Sequence, residues 1–398
     1  MDQVTRLTGA RVALGANCAE PIDLTIRRGR VLPFGDGVPS ATKTRQYDLS
    51  GHLILPGLIN AHDHLEFNLF PRLGHGRYES ASQWAADIYH PSASPVKEQL
   101  AVPKKTRLIW GGIKNLLSGV TTVAHHNPWE PLVFTSAFPV RVVRRYGWAH
   151  SIEFSPDLAE RHRQTPDHWP FIVHAAEGTD VNARLEVSRL DKMGVLNGRT
   201  ALVHAVGAGP RELETIRARG TSIVSCPSSN LFTLGRTLCA GALRTGVLFA
   251  LGSDSALTGE GDLIDEMRVA RSEWRLDGTD IYPLVTANAA EVLRLKDGRG
   301  TIRAGGVADL VVVRDHGQTP WESLCDLRPE AVLIGGRIML ASERFSELTG
   351  SGFDHRFHQI AVAGRGNFRI RANVPGLFAA AAECLGPEIK LAGKRIDT

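Results

Sequence analysis

The sequence is short of several things, and each shortage excludes a class of protein. No run comes near the ~18 apolar residues that span a bilayer. The opening residues Met1, Asp2, Gln3, Val4, Thr5 and Arg6 hold no apolar segment of the kind that makes a secretory leader. A cytoplasmic protein with no membrane partner is the expectation. The five cysteines, Cys18, Cys226, Cys239, Cys325 and Cys384, are odd in number, widely spaced and without a Cys-x-x-Cys pair, which argues against a disulfide framework or a thiolate zinc site. Charge of one sign is lacking too: 46 basic residues face 42 acidic ones. The basic residues come in pairs such as Arg27 and Arg28, Lys104 and Lys105, or Arg144 and Arg145, so no nucleic-acid partner is expected. Solenoid repeats and low-complexity tracts are missing as well. What remains, 398 residues of which 43% are hydrophobic and 22% charged, is globular composition long enough for a barrel with a smaller satellite.

Two β textures flank a different middle. Near the start Ile22, Leu24 and Ile26 alternate with Asp23, Thr25 and Arg27, and Gly29 opens a turn. Near the other end Asp309 to Asp315 encloses Leu310, Val311, Val312 and Val313. There Gly335 and Gly336 separate Val332, Leu333 and Ile334 from Ile338, Met339 and Leu340 as a hairpin turn does. The middle alternates short apolar runs with amphipathic stretches, the pattern that builds a parallel sheet or barrel. Leu58 to His62, Val120 to His125, Phe171 to His174, Ala201 to His204, Ser222 to Cys226 and Val247 to Asp254 read as strands. The 30 residues from His174 to His204 fit one strand, one helix and two loops. Leu108, Ile109, Ile113, Leu116 and Leu117 mark one helix, which Ser118 and Gly119 end.

Chemistry-bearing residues gather where these strands end. His62 and His64 stand at i and i+2, and extended backbone turns both imidazoles to one face. With 15 histidines chance alone gives roughly half a His-x-His pair per chain, so the pair gains meaning only from context. The context is that His174, His204 and Asp254 also end apolar strands, the place where a barrel carries its reacting groups. Polar groups at the mouths of apolar strands lose their water and are costly unless they are used. Three imidazoles and a carboxylate leave a divalent ion with an open position and lower the pKa of its bound water, and nitrogen and oxygen donors suit zinc or iron. Glu177, three residues past His174, enters the same loop and is placed to carry a proton in general acid/base work.

These residues resemble the amidohydrolase superfamily, and within it the deaminase and chlorohydrolase branch of adenosylhomocysteine, guanine and triazine hydrolases. The resemblance covers about residues 50 to 345. Its carriers are Pro56-Gly57-Leu58-Ile59-Asn60-Ala61-His62-Asp63-His64-Leu65, Leu69 to Gly74, Ser118-Gly119-Val120-Thr121-Thr122-Val123, His174-Ala175-Ala176-Glu177 and Leu202-Val203-His204. Cys226-Pro227-Ser228-Ser229-Asn230-Leu231, Leu251-Gly252-Ser253-Asp254-Ser255 and Thr286-Ala287-Asn288-Ala289-Ala290 complete the set. The resemblance implies an α/β protein with a distorted TIM-like (β/α) barrel and a small β-sandwich built from both chain ends. The expected domains are 1–55 plus 299–350 for the sandwich, 56–298 for the metal-dependent barrel, and 351–398 as a C-terminal tail. By the same resemblance His62, His64, His174 and Asp254 bind the metal, His204 hydrogen-bonds its water or the substrate, and Glu177 shuttles protons. Binuclear relatives use a lysine of the fourth strand, and no lysine lies between Lys114 and Lys192. One zinc or iron ion is therefore expected, unless Glu153 bridges a second.

The implied reaction is hydrolytic deamination of an amino-substituted heteroaromatic ring, of purine, pterin, pyrimidine or triazine type, with catalytic roles for Glu177, His204 and Asp254. Ring-amide or carbon–halogen hydrolysis is the alternative within enzymes, and a non-catalytic scaffold the alternative outside them. Glu66, Trp84, His125 and Trp129, together with Tyr89, His126 and Asn127, follow the first two strands and are candidate contacts to a small-molecule substrate. One departure stands out. Only 47 residues separate His126 from His174, too few for two full strands and three helices. The spacing predicts a strand in Val140 to Phe154, a short helix at Leu158 to Gln164, and a wall missing about one strand-helix unit. It further predicts a gap near the metal that a second subunit of a homo-oligomer or the apolar tail segment Leu377 to Ala382 covers.

Overall fold

A computed structural model describes residues 4–35, 44–349 and 355–398. Met1, Asp2 and Gln3, on which the leader expectation partly rests, lie outside the described residues, as do 36–43 of the first β segment and the start of the expected tail. Among the described residues no helix is long and apolar enough to cross a membrane.

The alternation of apolar runs and amphipathic stretches yields eight strands in the middle of the chain: β1 (Leu58–Asp63), β2 (Val120–His125), β3 (Arg141–Val142), β4 (Gly147–Ala149), β5 (Phe171–Ala175), β6 (Thr200–His204), β7 (Ser222–Ser225) and β8 (Phe249–Leu251). They form two parallel arcs, one in the order β3-β2-β1 and one in the order β4-β5-β6-β7-β8. Strands of the longer arc are buried throughout apart from part of β4, as strands covered on both faces must be. Helices Val181–Lys192, Pro210–Ala218 and Pro227–Leu234 return the chain between them. β1 reaches β2 through three helices, the last being Lys104–Leu117, which buries Leu108, Ile113, Leu116 and Leu117 and stops where Gly119 turns at φ +79°.

The short stretch before His174 corrects one expectation. No strand is missing there; the helices are. Residues 126–146 hold no helix, β3 and β4 contribute two and three residues, and Leu158–Gln164 is the single helix before β5. Two or three extended residues suffice to continue a wall, whereas a helix needs a run of about seven or more to cover it. The space left open is a cavity of about 1500 Å3 whose lining includes Trp129, Phe138, Arg141, Arg144 and Met339. None of His62, His64, His174, His204 or Asp254 lines it, so the opening does not lie at the metal candidates as expected. Among the described residues none of the expected tail lines it either.

Both chain ends build β-sheet. Four strands, Arg30–Val31, Leu24–Arg27, Val4–Thr8 and Thr44–Asp48, make one sheet, and a ten-stranded sheet joins His52–Pro56 antiparallel to Leu310–Arg314. Leu7, Leu24 and Ile26 of the first sheet share a core with Ile54, Leu310, Val312 and Leu333 of the second. The glycine pair works as expected: Gly335 and Gly336, both at positive φ, turn Ala331–Ile334 into Arg337–Ser342. Residues expected as a tail extend the same sheet with His358–Val362, Gly366–Ile370, Lys390–Leu391 and Lys394–Asp397. Their helix Val374–Leu385 packs on Lys104–Leu117, where the Trp110 indole donates to the Leu377 carbonyl at 3.3 Å.

Candidate metal centre

The ends of β1, β5, β6 and β8 converge. His62, His64 and His174 offer ligand atoms that lie within 4.8 Å of one another, and so do His62, His204 and Asp254. Asp254 Oδ1 stands 3.7 Å from Nε2 of both His62 and His64. Its other oxygen, Oδ2, accepts from Ser229 at 2.7 Å and Thr258 at 3.2 Å. That division leaves Oδ1 facing the imidazoles. Burial alone would raise the Asp254 pKa, but the surrounding imidazoles of His62, His64 and His204 hold it well below the ordinary carboxylate range.

The backbone is unusual where these side chains turn inward. His204 (φ 73°), Ala176 (φ 51°), Ala205 (φ 53°) and Asp254 (φ 51°) all occupy the left-handed region although none is glycine. Such residues cost energy and gather at functional sites. Gly252, one position past β8, is required for a different reason: a Cβ there would stand 2.6 Å from that of His62.

Hydrogen-bond partners settle which ring nitrogens are bare. His174 Nδ1 donates to the His150 carbonyl at 2.9 Å, so its Nε2 carries a lone pair. His126 Nε2 donates to the Ala149 carbonyl at 2.9 Å, so its Nδ1 accepts. His62 Nδ1, 3.2 Å from that acceptor, must then be the donor, and His62 Nε2 is bare as well. The two bare nitrogens, His62 Nε2 and His174 Nε2, lie 3.3 Å apart. Burial makes both rings poor bases, His62 down to about 4 and His174 well below its usual value, so protons do not resolve the clash of lone pairs at neutral pH. A divalent cation does. The donor set therefore fits a metal, and His126 and the His150 carbonyl are the partners that orient its ligands.

Beside this cluster Glu177 Oε1 lies 3.4 Å from His204 Nε2, while His204 Nδ1 donates to Asn230 Oδ1 at 2.7 Å. Burial, followed by the charges of Asp254 and Glu186 and opposed by His204, pushes Glu177 up to about 7, which suits it to hold or release a proton near neutrality.

The structure brings together all six residues singled out for metal and proton chemistry. Glu66 and His125 also meet, both buried, with Glu66 Oε2 3.6 Å from His125 Nε2 while His125 Nδ1 accepts from the Leu65 amide. Trp84 lies in a small cluster with Phe70 and Leu257, its indole donating to the Leu73 carbonyl. Trp129 stacks edge-on against Phe134 on the cavity described above, and Tyr89 is exposed. Glu153 is exposed and accepts from Ser82, outside both ligand groups. Sequence reasoning missed the orienting role of His126, read only as a pocket candidate, and missed His150 altogether. Their place in the chain, just beyond an irregular wall, carries no signal of it.

Known proteins resemble this chain in sequence and in fold. The amidohydrolase family model matches residues 168–339. A 5'-deoxyadenosine deaminase of Methanothermobacter thermautotrophicus is 24% identical over 79% of this chain and 90% of its own length. A 5-methylthioadenosine/S-adenosylhomocysteine deaminase of Natronomonas pharaonis is 27% identical over 72% of this chain and 78% of its own. Among solved structures, a zinc-bound adenosine deaminase from Xanthomonas campestris superposes with a TM-score of 0.69 at 19% identity, covering 96% of this chain and 98% of that one. Atrazine chlorohydrolase from Arthrobacter aurescens complexed with zinc gives 0.70 at 16% identity, covering 96% and 100%. The resemblance read from the motifs holds, and the two structures show likeness of fold.

Proposed function

We propose that this amidohydrolase-like chain is a metal-dependent hydrolase acting on C–N bonds, and that its reaction is hydrolytic deamination of an amino-substituted purine nucleoside or a close heteroaromatic relative. The observation that carries the reading is the pair of bare Nε2 atoms of His62 and His174, 3.3 Å apart, with Asp254 and His64 around them. A divalent cation held by His62, His64, His174 and Asp254, zinc before iron, would activate water for attack on the carbon that bears the amine. Glu177, protonated up to about pH 7, delivers its proton to the ring nitrogen and then serves the departing ammonia. His204, fixed by Asn230, orients the attacked group opposite Glu177, and Ser229 and Thr258 keep Asp254 aimed inward.

A single ion is supported by the exposed position of Glu153 and by the lysine-free stretch between Lys114 and Lys192. The two arcs are read as one distorted TIM-like barrel, and the two sheets with their shared core as the sandwich of both chain ends, which now includes the former tail. The substrate is a small molecule, as for the deaminases the chain is similar to. A homo-oligomer remains part of the reading because the open wall exposes Leu132 at 88%. A solution mass equal to the 43.3 kDa of one chain would remove that part.

The test is an ammonia- and chloride-release screen of zinc-loaded protein against adenosine, 5'-deoxyadenosine, methylthioadenosine, S-adenosylhomocysteine, aminotriazines and a chlorotriazine, read beside elemental analysis. Ammonia from a purine nucleoside with about one metal per chain is the expected result. Release of chloride or of a ring-opened product without ammonia would move the reaction to the alternative hydrolyses, and two tightly held metals would end the single-ion reading.

A further inference from the structure

A second buried polar set lies on the other side of β1 from the metal ligands. Asp63 stands between His62 and His64, so the alternation of an extended strand sends its carboxylate to the opposite face. Helix Lys104–Leu117 carries Lys114 and Asn115 into that face. Lys114 Nζ lies 2.8 Å from Asp63 Oδ2 and donates to Ser253 Oγ at 3.0 Å, with both charged side chains essentially sealed from solvent, 2% and 0% exposed. Asn115 donates to the same carboxylate at 2.7 Å and Asn68 to its other oxygen at 2.9 Å. Asn60 donates to Ser253 Oγ at 2.8 Å, and its Oδ1 accepts from the Ser253 amide at 3.0 Å.

The location gives this set a purpose. Among the described residues no strand ladder joins β1 to β8, yet His62 and His64 follow from the first and Asp254 from the second. The hydrogen bonds across this seam are that of the Asp254 amide to the His62 carbonyl at 3.1 Å and those of this polar network, beside an apolar core that Ile59 and Ala61 share with Ala250. A buried ion pair adds little to stability over well-packed apolar side chains, whereas losing one partner is costly. Stability alone is therefore a poor reason to keep it.

We infer that Lys114 is a positioning residue for the metal centre, acting through Asp63 and Ser253 to clasp the two arcs in the one register that brings both histidines and Asp254 to the same ion. It touches neither ion nor substrate. By neutralising Asp63 it also keeps a buried carboxylate, one residue from each histidine, facing away from the cation. Through Ser253 it anchors the neighbour of Asp254, whose φ of 51° otherwise has reason to relax. This inference rests on the metal reading above.

The test is zinc affinity by competition with a chromophoric chelator for the wild type, Lys114→Met and Lys114→Gln, with far-UV circular dichroism on the same samples. Lys114→Met should weaken zinc binding by about 10–100-fold, the usual cost of losing an outer partner of a metal site. Lys114→Gln, which keeps a donor but not the charge, should recover part of it, and KM at saturating zinc should stay near wild type for both. If Lys114→Met fails to fold, Lys114→Gln decides alone, with weakened zinc supporting the clasp and wild-type affinity overturning it. Folded variants that both hold zinc as the wild type does overturn the clasp and leave the metal reading intact. A wild type that holds no zinc overturns the metal reading and the clasp with it.

Discussion

The two arcs of the wall reach the same site by different means. In the five-stranded arc, β5 to β8 are joined by crossovers that each carry a helix, and β5, β6 and β8 hand a polar residue to the centre: His174, His204 and, just past β8, Asp254. Around β3 and β4 the strands shrink to two or three residues and the crossovers from β2 to β4 lose their helices, yet His126, just past β2, is buried like the rest. On the first side Asn230 holds His204, and Ser229 and Thr258 hold Asp254; on the second the Ala149 carbonyl holds His126, and Lys114 ties down Asp63 between His62 and His64. The difference teaches that a site of this kind needs its strand ends and not its outer helices.

The largest effect should come from the regular arc. Glu177→Gln keeps shape and removes the transferable proton, so turnover should fall by ~10²–10⁴ while metal content stays at the wild-type level. Because burial raises Glu177 to about 7, its proton-donating form is lost as pH rises through that value. Wild-type activity should therefore decline above pH 7, and the residual activity of the variant should lack that limb. A variant turning over at near the wild-type rate would strip Glu177 of the role.

The irregular side should answer to a residue that touches no substrate. His126→Phe preserves the ring but removes the acceptor that fixes the His62 tautomer, leaving a buried N–H without a partner. Zinc affinity by chelator competition should drop about 10–100-fold. An unchanged affinity would mean that packing alone holds His62, and the contrast between the arcs would collapse.

How far the sequence revealed this contrast depended on how regular each part is. β2 runs from Val120 to His125 as expected, and β1, β5, β6 and β7 differ by a residue or so, because apolar runs closed by a polar residue are an unambiguous signal. β8 shrank from eight expected residues to Phe249–Leu251, since Gly252 to Asp254 leave the ladder to reach the site. β3 and β4 were blurred into one candidate strand because two or three residues show no alternation. The count of residues was right that something was missing, but not what. The network of Lys114 was invisible for another reason: a lysine in an apolar helix face reads as solvated until Asp63 and Ser253 are known to lie opposite it.

A smaller effect concerns stability on the regular side. Glu266, on the helix Leu263–Trp274 that follows β8, is pushed up to about 8, chiefly by burial and against hydrogen bonds from the Ser228 amide and hydroxyl. Its folded pKa lies above the unfolded value of about 4.3. Its contribution to stability is thus full below that value and is lost as pH rises through about 8. Thermal melts at pH 5 and pH 8.5 should differ less for Glu266→Gln than for the wild type. An equal or larger difference in the variant would show that the carboxyl is ionised without penalty.

The smallest effect is expected at the open wall, and it asks whether the missing helices matter to chemistry at all. Trp129 is half-buried on the cavity, with Phe134 edge-on at 5.0 Å and the Arg144 guanidinium 5.9 Å from its ring centre. The cavity's lining includes no metal-candidate residue, so a change there has no direct route to the reacting atoms. Trp129→Ala removes an aromatic contact and a cation–π partner and should cost about 1–3 kcal/mol of stability, less than a fully buried tryptophan. Its kcat/KM should stay within about twofold of wild type, because His125 and His126, four and three residues earlier, are held by their own partners: the Leu65 amide for one, the Ala149 carbonyl for the other. A loss of tenfold or more in kcat/KM, in a folded variant with its full metal content, would show the opposite. The open wall would then be a side of the substrate pocket, and the shortened arc would shape specificity as well as carry ligands.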